Sequence, residues 1–272
     1  MPLLPVLAAA ADVGPDVGPS VGPDVGLRLA LVLAVLLALA VAASYVGRLG
    51  VERTQVGAVA RAVVQLAVVS LLLAAALESL VGALVFVGVM LAVASLTSAR
   101  RIDVPRAHVA WVAVSIALGA VPVVAVVIAS GLLPPNGLGI VPFAGIVIGG
   151  AMTAATLSGR RAADELAAQR GAYEAALALG LVAPDAVRLV VRPTAREALL
   201  PGLDQTRTVG LVTLPGAFVG VLLGGGSPAE AGAAQVLVLV GLLAAQAVTT
   251  SVLLGLVATG RVRRRDLVAL PV

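Results

Sequence analysis

The chain has 272 residues, 60% of them hydrophobic and only 12% charged, with a mean hydropathy of +1.12. Soluble domains are about 45–50% apolar and about 25% charged, and one core of this size could not bury such an excess, which excludes a soluble fold. All 18 basic residues are arginine and cysteine is absent, so a P-loop, disulfides and thiolate metal sites are excluded too.

Residues 1–26 open on the apolar stretch MPLLPVLAAAA and continue as VGPD, VGPS, VGPD. Glycine and proline at every fourth residue cannot hold a helix, which predicts an extended, mobile tail. No basic segment precedes the apolar start, which argues against a cleaved signal peptide.

A membrane span needs roughly 20 apolar residues. Seven stretches qualify: 27–46, 62–77, 79–97, 109–130, 138–157, 208–224 and 233–257. The second is short, so Arg61 snorkels to the interface or the helix begins a turn earlier. Spans two and three meet in a tight turn at Glu78-Ser79.

Placing the N-terminus outside and alternating through seven spans puts every arginine except Arg28 in the cytoplasm. Such a partition is what the positive-inside rule requires. The predicted fold is therefore all-α: a multi-pass protein of the cell membrane with about seven transmembrane helices and a cytoplasmic C-terminus. The arginines flank apolar spans rather than forming a soluble patch, so the bilayer is the expected partner and nucleic acid is not. His108, the sole histidine, falls at the interface before span four.

The organisation is then a tail over 1–26 and a membrane domain over 27–272, with one large cytoplasmic loop at 159–207. Leu166, Tyr173 and Leu177 recur at 7 and 4, which predicts an amphipathic helix continuing from span five. Pro184 breaks it and Asp185 can cap a short helix. Pro193 breaks again, and Thr194 to Glu197 has the pattern of a capping box opening another.

Within the loop, EAALALG (Glu174, Ala175, Ala176, through Gly180) is followed by Pro184 and by Val190-Val191-Arg192-Pro193. This resembles the EAA motif of bacterial ABC-transporter permeases. In that family it forms a helix–turn–helix that docks on the ATPase subunit. A knob of this kind needs small alanines for close approach and a glycine for the turn.

Gly216, Gly220 and Gly224 form a tandem GxxxG ridge, and Gly145, Gly149 and Thr153 a similar one in span five. Such ridges let helices pack closely in lipid. Pro215 is expected to kink span six. Polar residues inside the membrane face protein or a cavity, which makes Arg61, Gln65, Thr153, Thr213 and Gln235 candidates for a transport path, with Met152 in span five and Pro215 in the glycine-lined span six beside them. Interhelical hydrogen bonding explains the same polar residues equally well.

AGIVIGGAM (144–152) and the stretch from EAALALG through TVGLVTLPG to Gln235 extend the similarity. Together with Arg61 and Gln65, they resemble the iron-export ABC permease family (FetB type), to which the plant aluminium-tolerance permease is related. The resemblance covers about 53 to 258. It implies a membrane permease that dimerises, exports a metal ion, and works with a separate ATPase that binds ATP and Mg. Two positions depart from the family pattern: Gly150 stands where an Asn is usual, and Ala217-Phe218 where paired methionines are usual. Both changes remove polar or soft groups, and no metal ligands are assigned.

Two other classes are less well served. A secondary transporter predicts buried coupling carboxylates, yet no Asp or Glu lies near the middle of a span. A membrane enzyme of the Ser-His or His-Glu-x-x-His type would need histidines beyond His108.

Overall fold

A computed structural model describes residues 26–77 and 79–268. The tail expected over 1–26 lies, apart from Gly26, outside the described residues. The described chain is all-α, with ten α-helices and three short 3-10 turns. Six of the helices are long and apolar enough to cross a membrane.

The chain divides after Glu78 into two compact units. The first holds α1 (Leu27–Val46) and α2 (Glu52–Leu77). They reverse through a turn in which Arg48 and Gly50 have φ of 51° and 68°. Ser44 is buried and its Oγ accepts a hydrogen bond from Gln55 Nε2 at 2.8 Å. Helix α2 begins at Glu52, well before the span expected at 62, so Arg61 lies inside a helix rather than at its start.

The second unit contains α3 (Leu80–Ile102), α4 (Val109–Ala129), α5 (Gly137–Ala168) and α10 (Pro228–Ala258) as its core, with α3 and α10 each packed on both α4 and α5. Side chains set their starts. Ser79 Oγ accepts from Gly82 N, Asn136 Oδ1 from Gly139 N, and Ser227 forms a capping box with Glu230. Asp103, at φ 62°, closes α3 in the left-handed conformation. The buried contacts include many small residues, among them Ala120, Ala144, Ala151, Ala155 and Ala245. Small side chains allow helix backbones to approach, which is how helices associate without a hydrophobic drive.

Closest approach occurs at glycines outside the expected ridges. A Cβ on Gly159 would sit 2.6 Å from Ile102 Cδ1, and one on Gly119 would sit 2.6 Å from the Ala245 carbonyl. Among the five ridge glycines, only Gly145 meets another helix, at Met90 Cε. A Cβ on Gly149, Gly216 or Gly220 would meet nothing within 4 Å, and one on Gly224 meets only its own helix at Gly220 O. Gly216 and Gly220 instead line an apolar cavity of about 570 Å³ between α5, α9 and α10.

The segment 208–224, expected as one span, is not a continuous helix. Helix α8 (Ala195–Thr208) ends where it should begin, and α9 (Gly216–Leu223) has only 8 residues. Eight residues rise about 12 Å, too little to cross a bilayer. Pro215 therefore does not kink a helix; it precedes one, as the N-cap of α9.

The loop over 159–207 also differs in detail from the expectation. Helix α5 runs to Ala168 and is separated at Gln169 from α6 (Arg170–Ala178), where one long helix was expected. Helix α7 (Ala183–Val191) is capped by Val182, with Asp185 in its first turn. Thr194 forms no capping box. Its hydroxyl donates to Val191 O, and Glu197 pairs with Arg161 at 3.2 Å.

Candidate functional site

Helices α6 and α7 form a helix–turn–helix around Gly180. Tyr173 and Ala176 of α6 are buried at 1% and 4% exposure, as are Val187, Val190 and Val191 of α7. Burial pushes the Tyr173 phenol pKa up, opposed by the nearby Arg263 charge. Gly180 has φ +92°, a conformation that favours glycine. Its N–H donates to Leu177 O and Leu181 N–H to Ala176 O, the bond pattern that ends a helix with a left-handed residue. Pro184 occupies the first turn of α7, and Pro193 a 3-10 turn beyond it.

Outward from this frame, Glu174 and Ala175 are exposed, with Glu174 paired to Arg170 at 2.8 Å. Such exposed pairs contribute only a few tenths of a kcal/mol. Leu179 and Val182, flanking the turn, are 83% and 62% exposed. The elbow thus ends in an apolar tip on a polar helix pair, while α7 packs against α5 and α10. Its shape is that of a rigid knob anchored to two long helices.

The transport-path candidates do not converge on one point. Arg61 and Gln65 are exposed on α2, in the first unit. In the second unit, Thr153 is exposed and its hydroxyl donates to Gly149 O of its own helix. Met152 packs against the core. Gln235 is buried at 4% exposure, with its Oε1 unpaired among the described residues. Thr213 and Pro215 lie together in the break between α8 and α9.

Sequence reasoning missed a polar row further along α10. Gln246, Thr249 and Thr250 are all buried, and Gln246 Oε1 and both threonine hydroxyls lack hydrogen-bond partners among the described residues. Their i, i+3, i+4 spacing inside an apolar span was the available signal. Gln246 lies against both Gly150 of α5 and Gly202 of α8. A Cβ on Gly150 would overlap Leu242 Cδ1 and sit 3.4 Å from Gln246 Nε2.

The arginines within 261–265 tie several helix ends together. Arg261 stacks on Trp111 with 4.6 Å to the ring centroid, and Arg263 N–H donates to His108 Nδ1. Arg264 bonds to Asp164 and Asp266, and Arg265 pairs with Asp103 at 3.4 Å. This strap joins the C-terminal ends of α3 and α5 to the N-terminal end of α4.

Against known families, residues 27–260 match the model of the Uncharacterised protein family (UPF0014). The chain belongs to the UPF0014 family. Within it, the UPF0014 membrane protein STAR2 of Oryza sativa subsp. japonica is 37% identical over 215 residues, 78% of this chain and 75% of the relative. The protein ALUMINUM SENSITIVE 3 of Arabidopsis thaliana is 32% identical over 207 residues, 74% of each chain. The probable iron export permease protein FetB of Escherichia coli K12 is 31% identical over 137 residues, 50% of this chain and 53% of the relative. No solved structure matches the chain. The UPF0014 match covers all six long apolar helices and the elbow, and the protein is a multi-pass membrane protein of that family.

Proposed function

We propose that this chain is the permease subunit of an ABC transporter that exports a metal ion across the cell membrane, driven by ATP hydrolysed on a separate subunit. The observation that carries this reading is the α6–α7 elbow. A turn with positive φ at Gly180 holds an exposed apolar tip at Leu179 and Val182, and the elbow is braced on α5 and α10. Those two helices run the length of the second unit, so a push on the elbow is delivered to membrane-spanning helices.

Energy must arrive from outside this chain, because without lysine it has no P-loop to hold ATP and Mg. Glu174, Ala175, Gly180, Pro184 and Pro193 form the coupling surface, and the buried Ala176 anchors it from beneath. Its cytoplasmic side follows from the arginine distribution, with the N-terminus outside and the C-terminus inside. The name of the FetB relative supports iron-like cargo and outward transport, and a second copy of the chain completes the permease.

Co-purification with the candidate ATPase subunit, followed by ATPase rates in a bilayer, tests the assignment. Gly180→Leu and Glu174→Arg are expected to insert normally, yet to weaken association and abolish substrate-dependent hydrolysis. Full coupling in Gly180→Leu would remove the elbow from the mechanism.

A further inference from the structure

Between α8 and α9 the backbone is irregular. Gly210, at φ +79°, donates to Thr213 O at 2.9 Å, while Leu211 and Val212 N–H groups donate to Thr208 O. These bonds occupy the carbonyls of Thr208 and Thr213 only. The carbonyls of Val209, Gly210, Leu211 and Val212 have no hydrogen-bond donor among the described residues, and the Thr213 hydroxyl has no partner there. Leu211, Val212 and Leu214 are 89%, 77% and 61% exposed.

The depth of this break follows from its neighbours. Helix α10 has 31 residues, which makes it about 46 Å long. Gly202 of α8 lies on Gln246 in its second half, and Gly216 and Gly220 share a cavity with Ala234, Leu237 and Val238 in its first half. The break therefore sits level with the stretch between Val238 and Gln246, about half-way along the helix. Irregular backbone at that depth is unstable against lipid and persists only inside protein or beside water.

Interrupted helices at the bilayer midplane supply carbonyl oxygens for cations. The side chains of this protein offer no alternative, since no cluster of three His, Cys, Asp or Glu able to hold a metal occurs among the described residues. Neutral oxygens suit hard cations and disfavour soft ones. Without a carboxylate they also bind weakly enough to release, as conduction requires.

We propose that Thr208–Pro215 is a water-accessible cation site at the bilayer midplane, in which the carbonyl oxygens of Val209 to Val212 and the Thr213 hydroxyl ligate a hard divalent cation in transit. The site rests on the metal-export reading above and gives it a location and a ligand class.

The absence of cysteine makes the test clean. Single variants Leu211→Cys, Val212→Cys and Leu214→Cys of the full chain, in lipid nanodiscs, are treated with a charged, water-soluble thiol reagent. Val89→Cys, exposed midway along the apolar helix α3, is the control for an unbroken span. The break cysteines are expected to react an order of magnitude faster than the control. Mn²⁺ should slow labelling at Leu211→Cys several-fold, and adding Thr213→Val, but not Thr213→Ser, should remove most of that protection. Labelling as slow as at Val89→Cys would show a dry segment, covered by lipid, by the α1–α2 unit or by a second copy, and would overturn the proposal. Fast labelling without Mn²⁺ protection would also overturn it, leaving water but no cation site. Labelling needs no ATPase, so failure of ATPase association, which would sink the export reading, is scored separately.

Discussion

Gln246 of α10 fills the space above Gly202 of α8, so that a Cβ on Gly202 would overlap its Oε1. This contact fixes α8, the helix that follows the elbow, against α10. It depends on Gly202 having no side chain.

Gly202→Ala is accordingly expected to destabilise the protein by about 1–3 kcal/mol, the usual cost of overpacking. Gln246→Ala in the same chain should recover much of the loss, because it removes the overlapping atom. A double-mutant cycle on thermal unfolding in detergent measures the coupling. Additive losses would mean that the two residues do not meet.

The glycines divide into two classes with opposite expectations. Gly159→Leu drives a side chain into Ile102 and should abolish stable expression, whereas Gly220→Leu projects into a cavity of about 570 Å³ and should be tolerated. Monodispersity on size-exclusion chromatography and melting temperature distinguish them. Loss of assembly in Gly220→Leu would indicate that another helix occupies the cavity face.

Leu179 and Val182 are exposed and hold no core contact that folding needs. Leu179→Asp with Val182→Asp should leave the free energy of unfolding within about 0.5 kcal/mol of wild type, as surface changes do. The same pair should reduce ATPase association at least tenfold, since a central apolar anchor contributes about 2 kcal/mol or more. The matched change Leu132→Asp, in the loop between α4 and α5, should affect neither.

The C-terminal strap should respond to acid. Hydrogen bonding from Arg264 holds the Asp266 carboxyl below its usual range, and Asp266 and Asp164 in turn raise Arg264. A depressed carboxyl stabilises the fold above its unfolded pKa of about 3.9 and loses that contribution as pH falls through the lower folded value. Hydrogen exchange over 261–268 should therefore be flat near neutrality and rise below about pH 4, after correction for intrinsic rates. Arg264→Gln should raise it at neutral pH and flatten the profile.

Much of this protein is legible in one dimension. Helix content and the membrane-spanning character of six long helices follow from hydropathy, because lipid forces every apolar span to satisfy its own backbone. The EAA elbow was legible too, since Gly180 and the flanking prolines act through local backbone geometry. Other features depend on neighbours distant in sequence. Gly216 and Gly220 have the spacing of a packing ridge, but whether a helix faces them is decided by where α5 and α10 run. The segment 208–224 is as apolar as its neighbours, and hydropathy cannot tell a helix from a broken one. The break becomes visible only when Gly210 turns left-handed and α8 is held back on Gln246. Composition determined that the chain lives in a membrane; tertiary packing decided where its backbone leaves the helix and presents bare oxygens.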